Sequence, residues 1–196
     1  MAYQTYTTDA LVVGSIEHLT ADRVIVLFTR EAGLVHARAV SVRREKSKLR
    51  YGLQDFSLVR VSLVRGKAGW RLIGAERSNN LYFAAHDRVV RGSLLRILKL
   101  VRRLVRGEET HTTLYDMLVD GLTQLSLCKE EEIARSERLL TLRILFALGY
   151  VAPKDVYEHA LAASSLHSAL SFQEDNIPEE HAIQTAIDKA LAMSQL

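Results

Sequence analysis

The chain has 196 residues, of which 48% are hydrophobic and 25% charged, and this balance excludes a disordered polypeptide and suits two modest globular domains. Its single cysteine, Cys128, excludes a disulfide within the chain and a thiolate zinc site. The lack of a disulfide fits a protein of the reducing cytoplasm. No apolar run approaches the ~20 residues of a membrane span, and the first residues lack the pattern of a signal peptide. We therefore expect a cytoplasmic protein.

Charge is distributed unevenly along the chain, although the net charge is only +3. Residues 1–80 carry 13 basic and 7 acidic side chains, residues 81–110 carry 7 and 3, and residues 111–196 carry 6 and 13. The first half can attract a polyanion, whereas the acidic last third suits a basic partner or plain solvation. A basic excess that serves only solubility is the alternative.

Five short strands are predicted in the first eighty residues, over 9–15, 23–29, 33–42, 57–63 and 70–75. In the fourth of these, apolar residues alternate with mostly polar ones, so that one face can enter a core. Lys67-Ala68-Gly69 is a predicted turn that joins the last two strands as a hairpin. Five strands of this length predict a small closed barrel, with the OB-fold as the leading candidate.

A basic connector, residues 43–50, joins the third and fourth predicted strands. We interpret it as a flexible arm that neutralises phosphates of a nucleic acid, with a solvated loop as the alternative. Tyr51 beside it, and Trp70 next to Arg71, are candidates for stacking on bases, although a tryptophan in a hairpin can equally pack against the barrel. The basic residues of the connector are Arg43, Arg44, Lys46, Lys48 and Arg50.

Near Asn79-Asn80 the apolar period changes from two to about 3.6, which predicts a barrel domain over 1–79 and a helical domain over 80–196. The first long helix is predicted over 87–106, with seven basic side chains within an arc of about 140°. Since like charges at a spacing of four residues repel, we interpret this basic stripe as a polyanion-binding face; a merely soluble face is the alternative. The stripe comprises Arg88, Arg91, Arg96, Lys99, Arg102, Arg103 and Arg106. Within it, the residues assigned to nucleic-acid binding are Arg91, Lys99, Arg102 and Arg106.

Three further helical segments follow. Residues 112–127 predict a core-facing helix, and residues 131–148 predict the buried centre of the helical domain. A last helix begins near Pro178, with Glu179 and Glu180 in its first turn. Residues 154–175 show only a weak helical period.

No catalytic motif is present in the sequence. The phosphate-binding loops GxxxxGK[ST] and GxGxxG, the zinc motif HExxH and the nucleophile motif GxSxG are all missing. The seven histidines form no cluster with metal-ligand spacing. We therefore expect a protein without catalytic activity, metal or cofactor.

Several segments together resemble the RecO family of bacterial DNA repair and recombination mediators. The resemblance is carried by ADRVIVLFTREAGLVHARAVSVRREKSKLRYGLQDFSLVRVSLVRGKAGWRLIGAE, and within it by Asp22-Arg23, by the residues FTREAG, by the basic connector and by LQDF. It covers residues 8 to about 78 strongly, and the helices over 82–107 and 136–153 in spacing and character. Beyond Pro153 it is thin.

This resemblance implies an OB-fold domain and a helical domain that bind single- and double-stranded DNA and anneal complementary strands. It also implies that the protein acts with RecR to help RecA load on DNA coated by the single-strand-binding protein SSB, whose C-terminal tail is a further candidate partner. Many members of the family carry a four-cysteine zinc finger shortly after the position of Pro153, and this chain has none there. A protein-interaction adaptor that keeps the barrel as a scaffold but has lost annealing is the alternative.

Overall fold

A computed structural model describes residues 4–18, 20–47, 49–162, 166 and 177–194. The chain divides into two compact units. The barrel unit consists of Met1–Ala84 and Arg106–Tyr115, and the helical unit consists of Ala85–Val105 and Asp116–Leu196. Both units are therefore discontinuous in sequence. The predicted boundary between residues 79 and 80 lies near the end of the first barrel segment, but residues 106–115 return to the barrel unit.

The barrel unit is built on five strands: β1 (Thr5–His18), β2 (Asp22–Thr29), β3 (Gly33–Ala39), β4 (Ser57–Gly66) and β5 (Gly69–Asn80). They close into a barrel in the order β1-β2-β3-β5-β4, with β3 and β5 parallel and all other neighbours antiparallel. The predicted α+β class, with an N-terminal five-stranded OB-fold barrel followed by helices, is confirmed.

Strand β1 is longer than predicted because it serves two neighbours. Its first half pairs with β4 and its second half with β2, and the register with β2 shifts between Val12 and Gly14. A bulge of this kind bends a strand and increases its twist, which allows one strand to turn a barrel corner. The hairpin of β4 and β5 is confirmed, and Gly69 at its turn has a φ of +99° that favours glycine.

Alternate residues of the strands fill the barrel. Ile25 and Leu27 on β2 and Val35 and Ala37 on β3 are at most 1% exposed, and side chains of the other strands complete the same cluster. Each large aliphatic side chain buried in this way contributes about 1.5–3 kcal/mol to folding. The strand alternation that the sequence predicts is therefore what forms the core.

A segment of the chain, Arg106–Tyr115, returns to the barrel unit after a long helix, and we name it the strap. The backbone N–H of Leu34 donates to the carbonyl of Gly107 at 2.9 Å, and the hydroxyl of Thr110 donates to the carbonyl of Glu31 at 2.7 Å. Gly33 has a φ of +61°, and a Cβ there would lie 2.2 Å from the carbonyl oxygen of Glu109. Only glycine fits this close approach of two backbones.

The strap also covers side chains of the barrel. The ring of Tyr115 lies 5.7 Å, between centroids, from the ring of Phe28, and both residues are buried. At the other end of the strap, Arg65 donates to Glu108 at 2.7 Å. Phe28 has the opposite parity to Leu27 on β2, so the strap completes a second apolar layer outside the barrel core.

The helices are α1 (Leu81–Ala84), α2 (Arg88–Leu104), α3 (Thr112–Leu127), α4 (Glu130–Ala147), α5 (Glu158–Ala162) and α6 (Ile177–Met193), with a 3₁₀ turn at Asp155–Tyr157. The predicted bounds of α3 are confirmed, and α4 and α6 lie within a few residues of prediction. Much of the stretch 154–175, which showed only a weak period, lies outside the described residues. Among the described helices, none combines the length and the apolar character that crossing a membrane requires.

Helix α4 is the centre of the helical unit, as predicted. Gly121 on α3 faces it so closely that a Cβ there would lie 2.5 Å from Cδ1 of Leu140. Glycine therefore allows these two helices to pack at short range. The buried residues of α4 are Ile133, Ser136, Leu139, Leu140, Leu142, Ile144 and Leu145.

Candidate nucleic-acid interface

The basic connector is folded into consecutive turns. Backbone N–H groups of Arg44, Ser47 and Arg50 each donate to the carbonyl three residues earlier, at 3.0–3.2 Å. Val42 and Leu53, one on each side of the connector, are buried in the barrel core. The described residues of the connector therefore form consecutive turns between two apolar anchors, and the flexibility of the arm stays a prediction.

Asp22 fixes the point at which the connector leaves the barrel. Its carboxylate accepts from the backbone N–H of Ser41 at 2.7 Å and from Nε and Nη2 of Arg38 at 3.0 and 2.8 Å. These bonds, the one from Ser41 most of all, hold the pKa of Asp22 below its ordinary value against the opposing effect of burial. The bond also supports Ser41, which has a φ of 55°. Strand β3 thus ends at Ala39, three residues before the predicted end.

The connector presents its cations to solvent. Arg43, Arg44, Lys46 and Arg50 are exposed, and Lys48 lies outside the described residues. In the part of the chain that the structure describes, Arg43 forms an ion pair with Glu17, with 3.6 Å between Nη2 and Oε1. Exposed pairs at this distance bind weakly, so a phosphate can displace the carboxylate.

Tyr51 extends the connector surface with an aromatic ring. It is 64% exposed, and the guanidinium carbon of Arg50 lies 5.9 Å from the centre of its ring. An exposed ring beside cations is the combination that stacks bases of single-stranded nucleic acid.

Trp70 is a core residue, which corrects its assignment as a stacking surface. It is 9% exposed within the barrel cluster, where Tyr6 meets it edge to face at 5.4 Å and Arg65 lies 5.2 Å from the ring centre. Trp70 and Leu72 share the inward parity of β5, and this parity decides its position. The neighbouring Arg71 points outward and is exposed.

The basic stripe on α2 is partly neutralised. Arg96 forms a two-pronged ion pair with Glu137 of α4, with Nε–Oε1 at 2.5 Å and Nη2–Oε2 at 2.6 Å. Arg91 is half-buried and donates from Nε to the carbonyl of Ala85 at 3.0 Å. Arg103 donates to the hydroxyl of Ser194 at 3.1 Å. Three other cations of the stripe are exposed and form no such bond with the described residues: Arg88, Lys99 and Arg102.

Glu137 is held as a carboxylate. Burial opposes its charge, but hydrogen bonds from Arg96 and from the hydroxyl of Ser93, at 2.6 Å, outweigh burial and lower its pKa below the ordinary value. The same contact raises the pKa of Arg96 further. An acidic partner from another helix leaves no signal in the residue pattern of a single helix face.

Arg106 lies off the stripe, which corrects its assignment to the first long helix. Helix α2 ends at Leu104, because Val105 takes an extended conformation and Gly107 has a φ of +76° that turns the chain. Arg106 is the first residue of the strap and belongs to the barrel unit. It is exposed there.

Sequence reasoning missed Arg23, whose position on β2 is unusual. Arg23 has the same parity as Ile25 and Leu27, which point into the barrel, and its Nε is buried without a hydrogen-bond partner among the described residues. A basic residue in phase with the inward-facing residues of a strand was the available signal.

Comparisons with known proteins place these features in a family. Residues 1–75 match the family model described as "Recombination protein O N terminal". A DNA repair protein RecO of Myxococcus xanthus is 32% identical over 62% of this chain and 50% of its own length. The protein of the same name from Heliobacterium modesticaldum is 34% identical over 74% of this chain and 52% of its own.

The match extends beyond the barrel but does not span these relatives. A third protein named DNA repair protein RecO, from Desulfitobacterium hafniense, is 43% identical over 63 residues, which are 32% of this chain and 23% of its own. The chain spans about half the length of the first two relatives. The resemblance seen in the sequence is confirmed: residues 1–75 match the model for the N-terminal domain of the RecO family, and the chain is similar to proteins named DNA repair protein RecO beyond that domain.

Proposed function

We propose that the protein is a DNA repair and recombination mediator that binds single- and double-stranded DNA through the backbone phosphates. The observation that carries this proposal is the connector, in which exposed cations project from consecutive turns beside the exposed ring of Tyr51. Cations in turns neutralise phosphates but do not place a helix or strand in a groove to read bases. Binding is therefore independent of sequence.

The finer activity is proposed from the resemblance to the RecO family. In this proposal the protein has no catalytic activity, acts in the cytoplasm, anneals complementary strands and, with RecR, assists RecA loading on DNA coated by SSB. Neutralising the phosphates of two strands at once lowers their mutual repulsion, which is the physical requirement for annealing.

A groove of the helical unit favours a protein partner as well. It has a volume of about 390 Å³ and is lined by apolar residues such as Ile97 and Ile187 together with Arg96, Arg138 and Glu137. Because Arg96 is paired with Glu137 and Arg138 with Glu180, it is the apolar floor that favours a short apolar peptide, and the C-terminal tail of SSB is the candidate. If DNA binding is absent, this groove supports the adaptor function instead.

Titration of fluorescently labelled single-stranded DNA at about 50 and about 200 mM salt tests the proposal. Affinity should fall steeply with salt, and a mixed-sequence DNA should bind as tightly as a homopolymer of equal length. Equal affinity at both salt concentrations would contradict phosphate-based binding. A matched titration of double-stranded DNA should give a steeper slope for each phosphate neutralised, about 0.9 against about 0.7.

A further inference from the structure

A cavity of about 240 Å³ lies beside the connector, where β2 begins and β3 ends. Its floor is apolar and belongs to the barrel core, and its remaining lining consists of three arginines. The lining residues are Arg23, Ile25, Val42, Arg43, Arg50 and Leu53. Since one water takes about 30 Å³ of liquid volume, a cavity of this size has room for a group as large as a phosphate.

Arg23 brings an unsatisfied donor to this cavity. In the sheet it lies between Glu17 of β1 and Ala39 of β3, in phase with the inward-facing Ile25. Its Nε is buried and has no hydrogen-bond partner among the described residues. A buried donor of a charged group costs folding free energy until an acceptor reaches it.

The nearby carboxylates do not supply that acceptor. Glu17 is 69% exposed and lies 3.6 Å from Nη2 of Arg43. Asp22 is engaged by Arg38 and by the backbone of Ser41. Three arginines therefore line one cavity, and the ion pair recorded for them among the described residues is that of Arg43 with the exposed Glu17. An entering oxyanion would balance the excess positive charge.

We propose that this cavity, the Arg23 pocket, binds a single phosphate group, with Nε of Arg23 as the inner donor and Arg43 and Arg50 as the outer ones. The fork of a guanidinium matches the oxygens of a phosphate, and arginine is therefore the residue suited to such a site. Arg43 and Arg50 also belong to the connector, so a nucleic acid on the connector brings its phosphates to the pocket. As to the source of the phosphate, the inference rests on the proposed function.

The pocket adds a discrete site to an otherwise diffuse electrostatic surface. Cations of the exposed connector contribute according to charge alone, whereas Arg23 requires one group at a defined position. A strand carrying a terminal phosphate and one with only internal phosphodiesters offer the same chemistry in different geometry. The test therefore includes both.

The direct test follows the side-chain Nε–H resonances of the arginines by ¹H–¹⁵N NMR of the whole chain. Inorganic phosphate is added first, followed in separate samples by a 5′-phosphorylated and a 5′-hydroxyl single strand of one sequence. The Arg23 resonance should shift and saturate with each probe that enters the pocket, while that of Arg60, exposed on β4 and 3.5 Å from Asp9, should move little. A larger shift with the phosphorylated strand assigns the pocket to strand ends, and equal shifts assign it to internal phosphates.

The outcomes separate the pocket from the proposed function. An unmoved Arg23 resonance while DNA binds overturns the pocket and leaves the function intact. A saturable response to inorganic phosphate without DNA binding overturns the function and the nucleic-acid source, but supports the oxyanion site. Arg23→Gln should weaken phosphate binding about tenfold, with Arg60→Gln as the matched control. Should the Arg23 variant fold poorly, the wild-type resonances still decide.

Discussion

The connector of the barrel unit and the stripe on α2 have similar numbers of basic residues but present them differently. Backbone N–H groups of the connector donate within its own turns, and its described basic side chains lie in solvent. On α2, Arg91, Arg96 and Arg103 are engaged within the helical unit. The number of basic residues in a segment therefore differs from the number of cations that a ligand can use.

The largest expected effect is on DNA binding by the connector. Replacing Arg43, Arg44 and Lys46 with alanine should weaken binding of single-stranded DNA ten- to hundredfold at low salt, in rough terms, and lower the salt slope by about 0.7 for each phosphate that is no longer neutralised. The free energy of unfolding should change by less than about 0.5 kcal/mol, because these side chains are exposed. Fluorescence anisotropy at several salt concentrations and a thermal melt measure the two quantities.

Breaking the ion pair of α2 should have the next largest effect, on stability. Glu137→Gln removes the charge that pairs with Arg96 and one of the two half-buried oxygens that accept from Arg96 and Ser93, and should lower the free energy of unfolding by about 1–3 kcal/mol. Glu180→Gln is the control, since Glu180 pairs with Arg138 at 3.3 Å in a more exposed position, where the expected cost is about 0–1 kcal/mol. Equal losses in both variants, measured by urea denaturation, would remove the distinction between them.

The stripe itself should contribute less to DNA binding than the connector. Replacing Arg88, Lys99 and Arg102 with alanine removes the same number of charges as the connector variant, so the two are matched. We expect the affinity for single-stranded DNA to fall roughly threefold, because these charges act at a distance and are screened by salt. A larger loss than in the connector variant would reverse the comparison. If neither variant binds DNA less tightly, annealing fails as a function and the adaptor takes its place.

Acid should lower the free energy of unfolding, with the same sign in both units. The folded pKa of Glu137 is below its ordinary 4.5, and that of Asp22 is below its ordinary 3.8. Each group therefore contributes stability that is complete above its ordinary pKa and is lost as pH falls through the folded one. Denaturation at pH 6 and at decreasing pH below about 4.5 should show wild type approaching Glu137→Gln in stability. A constant difference between them would contradict this assignment.

The strand pattern made most of the barrel predictable. Alternation placed the strands and the hairpin, because one face of each strand must enter the core. The same alternation could have placed Trp70 in the core, because Trp70 and the buried Leu72 lie on the same face of β5. The turns of the connector were harder to predict from the sequence, because they depend on a hydrogen bond between Ser41 and Asp22, nineteen residues apart.

The helical surface could be predicted only in part. Helical period located α2 and its basic face, but it does not describe what another helix places against that face. Arg96 meets a carboxylate 41 residues away, and Arg106 leaves the helix because the chain turns back at Gly107. Both depend on tertiary structure, which the periodicity of a single segment does not contain.

The strap imposes an order of events on a chain that is synthesised from its N-terminus. The last barrel strand ends at Asn80, but the cover of Phe28 and the backbone partner of Leu34 come from residues 107–115. Helix α2 must be translated in between, so the ribosome adds about 35 residues, roughly 2–7 s of synthesis, before the barrel unit is complete. A fragment cut after the fifth strand would therefore expose the side chain of Phe28 and leave the backbone N–H of Leu34 unpaired, and should aggregate even though all five strands are present.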